Sequence, residues 1–202
     1  LCTSSTVITD NGSDFRDLVA DCIDGACPDN VPIGCWNTSD VTDMAYAFDG
    51  KTSFDDSINC WDVKNVTSMN GIFKLAADFN QPLDDWNVAS VTNMQRMFYY
   101  AYNFNQPLDD WNVASVTDMA RMFQGATNFN QSLDDWNVAS VADMRFMFKQ
   151  ATNFNQPLND WNVASVNDMV SMFKSAYAFN QCLSTWADKT PPDVDVYSIF
   201  QN

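Results

Sequence analysis

The chain has 202 residues, 46% of them hydrophobic, which is enough apolar material for one sizeable core and excludes a disordered chain. Its net charge of −16 excludes binding of nucleic acid or an anionic membrane through bulk electrostatics. Histidine is absent, so the commonest general base and metal ligand is missing and most hydrolases and zinc proteins become poor candidates.

The sequence gives no sign of a membrane segment or an export signal. No apolar run approaches the ~18 residues of a spanning helix. The first residues lack the basic start and apolar middle of a signal peptide. We therefore expect no direct membrane insertion, and a soluble, mature chain from which any export signal has been removed.

Residues 1–35 are predicted to form an N-terminal cap that contains one helix. Ser13 or Asp14 is a suitable N-cap, and the segment ends at Gly25 and Pro28. Apolar side chains follow at helical spacing: Phe15, Leu18, Val19 and Cys22. Such an atypical end is what a stack of repeats needs to cover its open core.

Residues 36–185 consist of six repeats of 25 residues, and each repeat, called a unit below, begins at a tryptophan. Positions are counted from that tryptophan as zero. Position +12 is Phe in all six units, and so is position +18. The tryptophans keep this spacing throughout: Trp36, Trp61, Trp86, Trp111, Trp136, Trp161 and Trp186. A fixed period of this length predicts a solenoid of six 25-residue coils that bury a shared core by stacking.

Two elements are predicted within each unit. Position +4 carries N-cap residues, and mostly apolar residues at +5, +8, +11, +12 and +15 have helical spacing. The stretch L-x-x-W-x-V, as at Leu83–Val88, predicts a short strand. Stacked units would then form short parallel strands on one face and short helices on the other.

Residues 186–202 are predicted to form a C-terminal cap. The segment fits the repeat register if two residues, taken as Pro191 and Pro192, are inserted. Val196, Ile199 and Phe200 then take the places of Met, Met and Phe in a unit.

The repeat L-x-x-W-x-V-x-x-V-T-x-M-x-x-M-F-x-x-A-x-x-F-N-Q resembles that of the BspA-like family of surface proteins, and its strand resembles the leucine-rich repeat L-x-x-L-x-L. The resemblance extends from Trp36 to about Thr185. It implies an extracellular, leucine-rich-repeat-like solenoid associated with adhesion and partner binding, and it implies no catalytic residue.

Six cysteines in a small acidic chain favour an oxidising compartment, and a cytosolic protein with buried thiols is the alternative. Cys35 and Cys60 each precede a tryptophan in neighbouring units, and the spacing of stacked strands predicts a disulfide between them. One further bond is predicted among Cys2, Cys22 and Cys27. Cys182 has no obvious intramolecular partner. Sequons at Asn11, Asn37 and Asn65 are compatible with glycosylation of a secreted protein.

The candidate binding residues are polar side chains on the outward face of the predicted strand. Two columns hardly vary along the chain: Asp85, Asp110, Asp135 and Asp160 at position −1, and Asn87, Asn112, Asn137 and Asn162 at position +1. Either the Asn side chains bond to local backbone while the Asp are merely solvated, or the two columns match a periodic ligand. Most of the bases fall on the predicted helices instead: Lys74, Arg96, Arg121, Arg145, Lys149 and Lys174.

Carboxylates in one column should repel each other if the units stack at strand spacing. Hydrogen bonds from Asn amides, raised carboxyl pKa values or weakly bound Ca²⁺ could relieve this repulsion. We expect no metal other than this Ca²⁺ and no other cofactor. The pair Asp84–Asp85 suggests a glycosidase, but it recurs in three units without a distinct second partner, so we expect no enzyme.

The resulting hypothesis is a secreted or cell-surface binding module for adhesion, whose partner is a protein, glycan or polymer surface. A passive structural spacer of a larger surface protein is the alternative.

Overall fold

The chain is built from turns and has little regular secondary structure. The computed structural model describes residues 6–186, 188–191, 194 and 199–200. Within them there is one α-helix, α1 (Gly12–Ile23), three 3₁₀ helices (Pro28–Asn30, Ile33–Cys35 and Ser184–Trp186), and no β-strand. Among these described residues, strand-like pairing is limited to isolated parallel bridges, five of which join position +7 of consecutive units.

Helix α1 packs against the N-terminal end of the stacked units. Phe15, Val19 and Cys22 lie on one face and are buried. The ring of Phe15 meets Trp36 and Trp61 edge-on, with centroids 6.4 and 5.8 Å apart. The helix predicted in the N-terminal segment is therefore present, and it contacts the first two units.

Consecutive units stack through backbone hydrogen bonds at a fixed offset. The N–H at +12 donates to the carbonyl at +11 of the next unit, as Phe73 does to Met97 at 3.0 Å. Bonds with the same offset start at +8, +10 and +14. At +6 the direction reverses, and Thr92 N–H donates to the Thr67 carbonyl at 2.9 Å. Each unit is thus bonded to both neighbours, which stabilises units too small to have cores of their own.

The core consists of aromatic columns that run along the stack. Phe73 and Phe98, both at +12, stack with centroids 5.6 Å apart, and within one unit Phe73 stacks on Phe79 at 4.0 Å. Trp61 and Trp86 are nearly parallel at 6.5 Å. All six Phe side chains at +12 are buried, as are the methionines at +8 and +11. The inward positions predicted from the repeat are confirmed.

Each core tryptophan also has its indole N–H satisfied. Trp111 Nε1 donates to the Leu83 carbonyl, 28 residues earlier in the chain, at 3.1 Å, and the corresponding bond recurs along the column. A buried indole N–H needs such a partner, so this bond fixes the ring against the neighbouring turn.

The predicted strand is wrong, because the L-x-x-W stretch closes a turn. Trp86 N–H donates to the Leu83 carbonyl at 3.2 Å, and Asp84 and Asp85 occupy the turn between them. A spacing of three between two apolar residues is compatible with an i to i+3 turn, which brings both side chains to the same side.

The predicted helix is also wrong, because positions +8 to +15 form a run of turns. Ala47 N–H donates to Met44 O, and Lys51 N–H to Phe48 O, while the alternate N–H groups bond to the next unit. The backbone is left-handed at +10 and +14, with φ values of +53° to +72°. An α-helix cannot contain such residues. The structure is therefore not the predicted leucine-rich-repeat-like solenoid with parallel strands on one face and short helices on the other.

The cysteines differ in part from the prediction. Cys22 and Cys27 form a disulfide, as one of the predicted alternatives allowed. The predicted bond between Cys35 and Cys60 is absent: Cys60 is a free, exposed thiol whose Sγ donates to the Gly34 carbonyl at 2.7 Å, and Cys35 is itself disulfide-bonded. The prediction depended on strand stacking at these positions, and the chain forms turns there instead. Cys2 lies outside the described residues.

The C-terminal segment continues the stack where it is described. Phe173 N–H donates to the Ile199 carbonyl at 2.9 Å, and the Phe200 ring stacks on Phe173 at 5.6 Å. Ile199 and Phe200 therefore take the +11 and +12 places that the sequence assigns to them. Pro192 and Val196 lie outside the described residues.

Candidate functional site

The four predicted carboxylates form an exposed row along the stack. Asp85, Asp110, Asp135 and Asp160 are all exposed, and each directly precedes a buried tryptophan. They lie in the turns that the structure has in place of the predicted strand. Their predicted exposure is therefore confirmed, whereas their predicted place on a strand is wrong. We call these four residues the acidic row.

The asparagines beside the acidic row have a local role. Asn87 Oδ1 accepts a hydrogen bond from Ala89 N–H at 3.2 Å. The same bond, at the same distance, recurs in the next three units from Asn112, Asn137 and Asn162. These are Asx turns, which orient the asparagine carbonyl towards the chain. The local-bonding alternative for the asparagine column is therefore what the structure contains.

Repulsion along the acidic row is relieved at both ends by asparagine amides. Asn59 Nδ2 donates to Asp84 at 3.0 Å and to Asp85 at 2.9 Å. Asn159 Nδ2 donates to Asp160 at 3.0 Å. Of the reliefs considered from the sequence, the asparagine amides therefore operate at both ends. A raised pKa is found for a neighbouring carboxylate that is not part of the acidic row.

That raised pKa belongs to Asp134, which occupies the position of Asn59 and Asn159 in its own unit. Burial of the carboxyl, together with the charges of Asp160 and Asp135, raises the pKa of Asp134. Its Oδ1 is buried without a hydrogen-bond partner. Asp134 Oδ1 therefore has no hydrogen bond to offset the charges of Asp135 and Asp160.

Nothing supports the Ca²⁺ hypothesis. In the described part of the chain, no three carboxylate, thiol or imidazole side chains lie close enough together to hold a metal ion. The acidic row is spread along the stack, so it does not gather the ligands that Ca²⁺ requires.

A second polar column holds the units together and escaped the sequence analysis. Asn105 N–H donates to Asn80 Oδ1 at 2.9 Å, and Gln106 Nε2 donates to the Asn80 carbonyl at 2.8 Å. The pattern repeats at Asn130 and Gln131 and continues to the last unit. The F-N-Q motif could have indicated this ladder, because amide side chains can both donate and accept.

The turn run carries a basic pocket that the sequence did not predict as a site. A cavity of about 250 Å³ is lined by Arg96, Tyr99, Arg121, Gln124, Phe146 and Lys149. These residues occupy positions +10 and +13 of three consecutive units. All three cations of the pocket were expected on helices, and no sequence pattern indicated Gln124.

A larger cleft of about 840 Å³ separates the N-terminal segment from the first unit. Its charged side chains are Asp24, Asp55, Asp56 and Lys51. Charges of both signs are present, so the cleft favours no single ligand chemistry. None of the helices in the described ranges is long and apolar enough to cross a membrane.

Comparison with known families assigns the repeats. The family described as "Mycoplasma protein of unknown function, DUF285" matches residues 17–120 and again residues 106–202. The chain belongs to this family. The acidic row and the basic pocket both lie within the DUF285 matches. The resemblance to the BspA-like family is not confirmed, and no curated protein or solved structure matches the chain.

Proposed function

We propose that the chain is a surface-displayed binding module that attaches to a cell, matrix or polymer surface through the acidic row. The observation that carries this proposal is the repetition of one exposed carboxylate in the same turn of four consecutive units. Side chains presented at a constant interval suit a ligand that is itself periodic, because several weak contacts then act together. We assign the module no catalytic role.

The local hydrogen bonds make the acidic row the part of this face that remains available. The asparagine Oδ1 atoms are engaged in Asx turns, whereas Asp110 and Asp135 are exposed and accept no hydrogen bond from the described side chains. Carboxylates in this state favour ligands that bring cationic or hydroxyl groups.

Two further observations support display outside the cell. The disulfide between Cys22 and Cys27 is typical of an oxidising compartment. The resemblance of the repeat to that of BspA-like surface proteins points the same way and forms part of this proposal, without the leucine-rich-repeat architecture.

The alternative function is a passive spacer, and a specific observation favours it. Backbone and side-chain ladders connect every pair of neighbouring units, so the stack is well suited to hold other domains at a fixed distance. A spacer would need no ligand for the acidic row.

Binding to panels of immobilised glycans, matrix proteins and charged polymers separates the two functions. The test variant replaces all four residues of the acidic row with asparagine. The matched control makes the same change at four exposed aspartates elsewhere: Asp10, Asp17, Asp21 and Asp56. Both variants change the net charge equally, so a general electrostatic effect moves both.

Saturable binding that the row variant loses and the control retains supports the module. Absence of binding across the panels, or equal loss in both variants, contradicts it and favours the spacer.

A further inference from the structure

The residues of the basic pocket are not dictated by the stacking of units. Position +10 is Tyr46, Gly71, Arg96, Arg121, Phe146 and Ser171 in the six units, although its backbone is left-handed in every one. Glycine is the least strained residue in that conformation. Long cationic or aromatic side chains at three consecutive units therefore need an explanation other than the fold.

The pocket concentrates positive charge in a strongly acidic protein. Within the described residues, Arg96, Arg121 and Lys149 form no ion pair, whereas Lys74 and Arg145 are paired with aspartates. The ring of Phe146 holds two of these cations together, with Arg121 at 4.8 Å and Lys149 at 5.2 Å from its centroid. Like charges gathered around one ring repel each other, so an anion between them would be stabilised.

The pocket also contains a buried acceptor without a donor. Gln124 is only 6% exposed, and its Oε1 is buried with no hydrogen-bond partner. Buried polar atoms are nearly always paired, because leaving one unpaired is unfavourable. An anion without an O–H or N–H group, such as acetate, cannot satisfy an amide oxygen, since it has no hydrogen to donate. The occupant must therefore carry a hydroxyl or N–H group beside its negative charge.

We propose that this pocket binds a carboxylated sugar residue of the uronic acid class. Its carboxylate would be bound by the cations, and one of its hydroxyl groups would donate to Gln124 Oε1. The cavity of about 250 Å³ is smaller than the ~300 Å³ at which pockets for drug-sized ligands begin, which suits a single sugar ring. The site is separate from the acidic row and does not depend on the function proposed for that row.

The test is an NMR titration of the folded protein with sodium glucuronate, with glucose and sodium acetate as separate probes at matched ionic strength. Glucose supplies the hydroxyl groups without the charge, and acetate supplies the carboxylate without the hydroxyl groups. A glutamate-rich peptide is the fourth probe, because an acidic protein segment could also offer carboxylates. We expect glucuronate to cause saturable chemical-shift changes at Gln124. Acetate should bind at least about tenfold more weakly than glucuronate, and glucose should not bind.

Three variants locate the site. Arg121→Gln combined with Lys149→Gln should weaken glucuronate binding by at least about tenfold, since two charge-assisted contacts are lost. Lys51→Gln combined with Lys64→Gln removes the same charge elsewhere and should leave binding unchanged. Gln124→Met keeps the volume but removes the acceptor, so it should weaken glucuronate binding about threefold to tenfold and leave acetate binding unaffected.

The proposal is overturned if glucose or acetate binds as tightly as glucuronate, if both double variants weaken binding equally, or if no probe saturates. Tighter binding of the glutamate-rich peptide than of glucuronate also overturns it, in favour of a protein ligand. Chemical-shift dispersion of each variant in the absence of ligand shows that it is folded.

Discussion

Replacing Gly125 with alanine should destabilise the protein more than replacing Gly50 with alanine, although both glycines have φ of +72°. Both also occupy position +14 of their units. They differ in what a new Cβ would meet. At Gly125 it would lie 2.3 Å from Cδ1 and 2.5 Å from Cε1 of Tyr100, whereas at Gly50 no atom lies within 4 Å. Comparing the two substitutions therefore separates the cost of steric overlap from the cost of backbone strain.

The expected loss of unfolding free energy is the sum of the backbone strain and the steric overlap. An alanine in the left-handed region costs about 1–2 kcal/mol at either site. Overpacking against the Tyr100 ring adds about 1–3 kcal/mol at Gly125 alone. Tyr100 has little freedom to move, because its ring meets Tyr99 edge-on at 4.5 Å and its hydroxyl donates to Gln150 at 2.8 Å. We expect a loss of unfolding free energy of about 1–2 kcal/mol for Gly50→Ala and about 2–5 kcal/mol for Gly125→Ala.

The assay is urea denaturation of both variants, repeated in a Tyr100→Ala background to complete a double-mutant cycle. Removing the Tyr100 ring should abolish the difference between the two glycine sites, because only the backbone term remains. Steric overlap with Tyr100 is not the cause if the two substitutions differ by less than about 0.5 kcal/mol, or if their difference survives without Tyr100.

Three further predictions concern single side chains. Trp111→Phe keeps a ring in the column but removes the indole bond to the Leu83 carbonyl, which retains only the bond from Trp86 N–H, so urea denaturation should show a loss of about 0.5–1.5 kcal/mol; an unchanged midpoint would contradict this. Asp134→Asn should stabilise the protein at neutral pH. The pKa of Asp134 is raised in the folded protein, so the folded state binds its proton more tightly than the unfolded state does. The free energy of unfolding of the wild type should therefore fall, relative to that of the variant, as pH rises from below the unfolded pKa of 3.8 through the folded pKa. Parallel pH profiles of the two proteins would contradict this. A hydrogen bond with the Ser184 hydroxyl lowers the pKa of the Cys182 thiol, so iodoacetamide should alkylate Cys182 at lower pH in the wild type than in Ser184→Ala, as peptide mass spectrometry can show; identical pH profiles would refute it.

The sequence was sufficient to predict which residues lie inside the stack. The 25-residue period places one Trp and two Phe columns in register, and even the irregular C-terminal segment could be aligned so that Phe200 stacks on Phe173. Periodicity determines the core so well because each unit can bury its aromatic side chains only against an identical neighbour.

The sequence was not sufficient to predict the backbone between these residues. Apolar residues three and four apart suit a helix and also suit consecutive turns, so their spacing does not distinguish the two. A usable signal was present, since Gly50, Gly71 and Gly125 fall inside the predicted helices, where glycine is unfavourable. All three occupy left-handed positions of the turn run.

The two candidate sites differ in how far the sequence could indicate them. The acidic row repeats at one position, so its place on the surface follows from the period. The basic pocket combines different residues from three units, and its distinctive atom, Oε1 of Gln124, is recognised only from its burial without a partner. A composite site of this kind leaves no repeated pattern.

The ladders between units fix the spacing of the stack but leave the order of the units ambiguous. Because the bonds between units keep the same offset at every step, a chain that folds with one unit skipped could form nearly the same bonds, a frameshift of one repeat. Two contacts break this degeneracy. The Tyr46 ring lies where a Cβ on Gly71 would be, and the Tyr100 ring lies where a Cβ on Gly125 would be. The first pair is at position +10 and the second at +14, so each aromatic ring fits only the unit that follows it in the correct frame. In a chain of near-identical units, these two glycines therefore specify which unit packs against which.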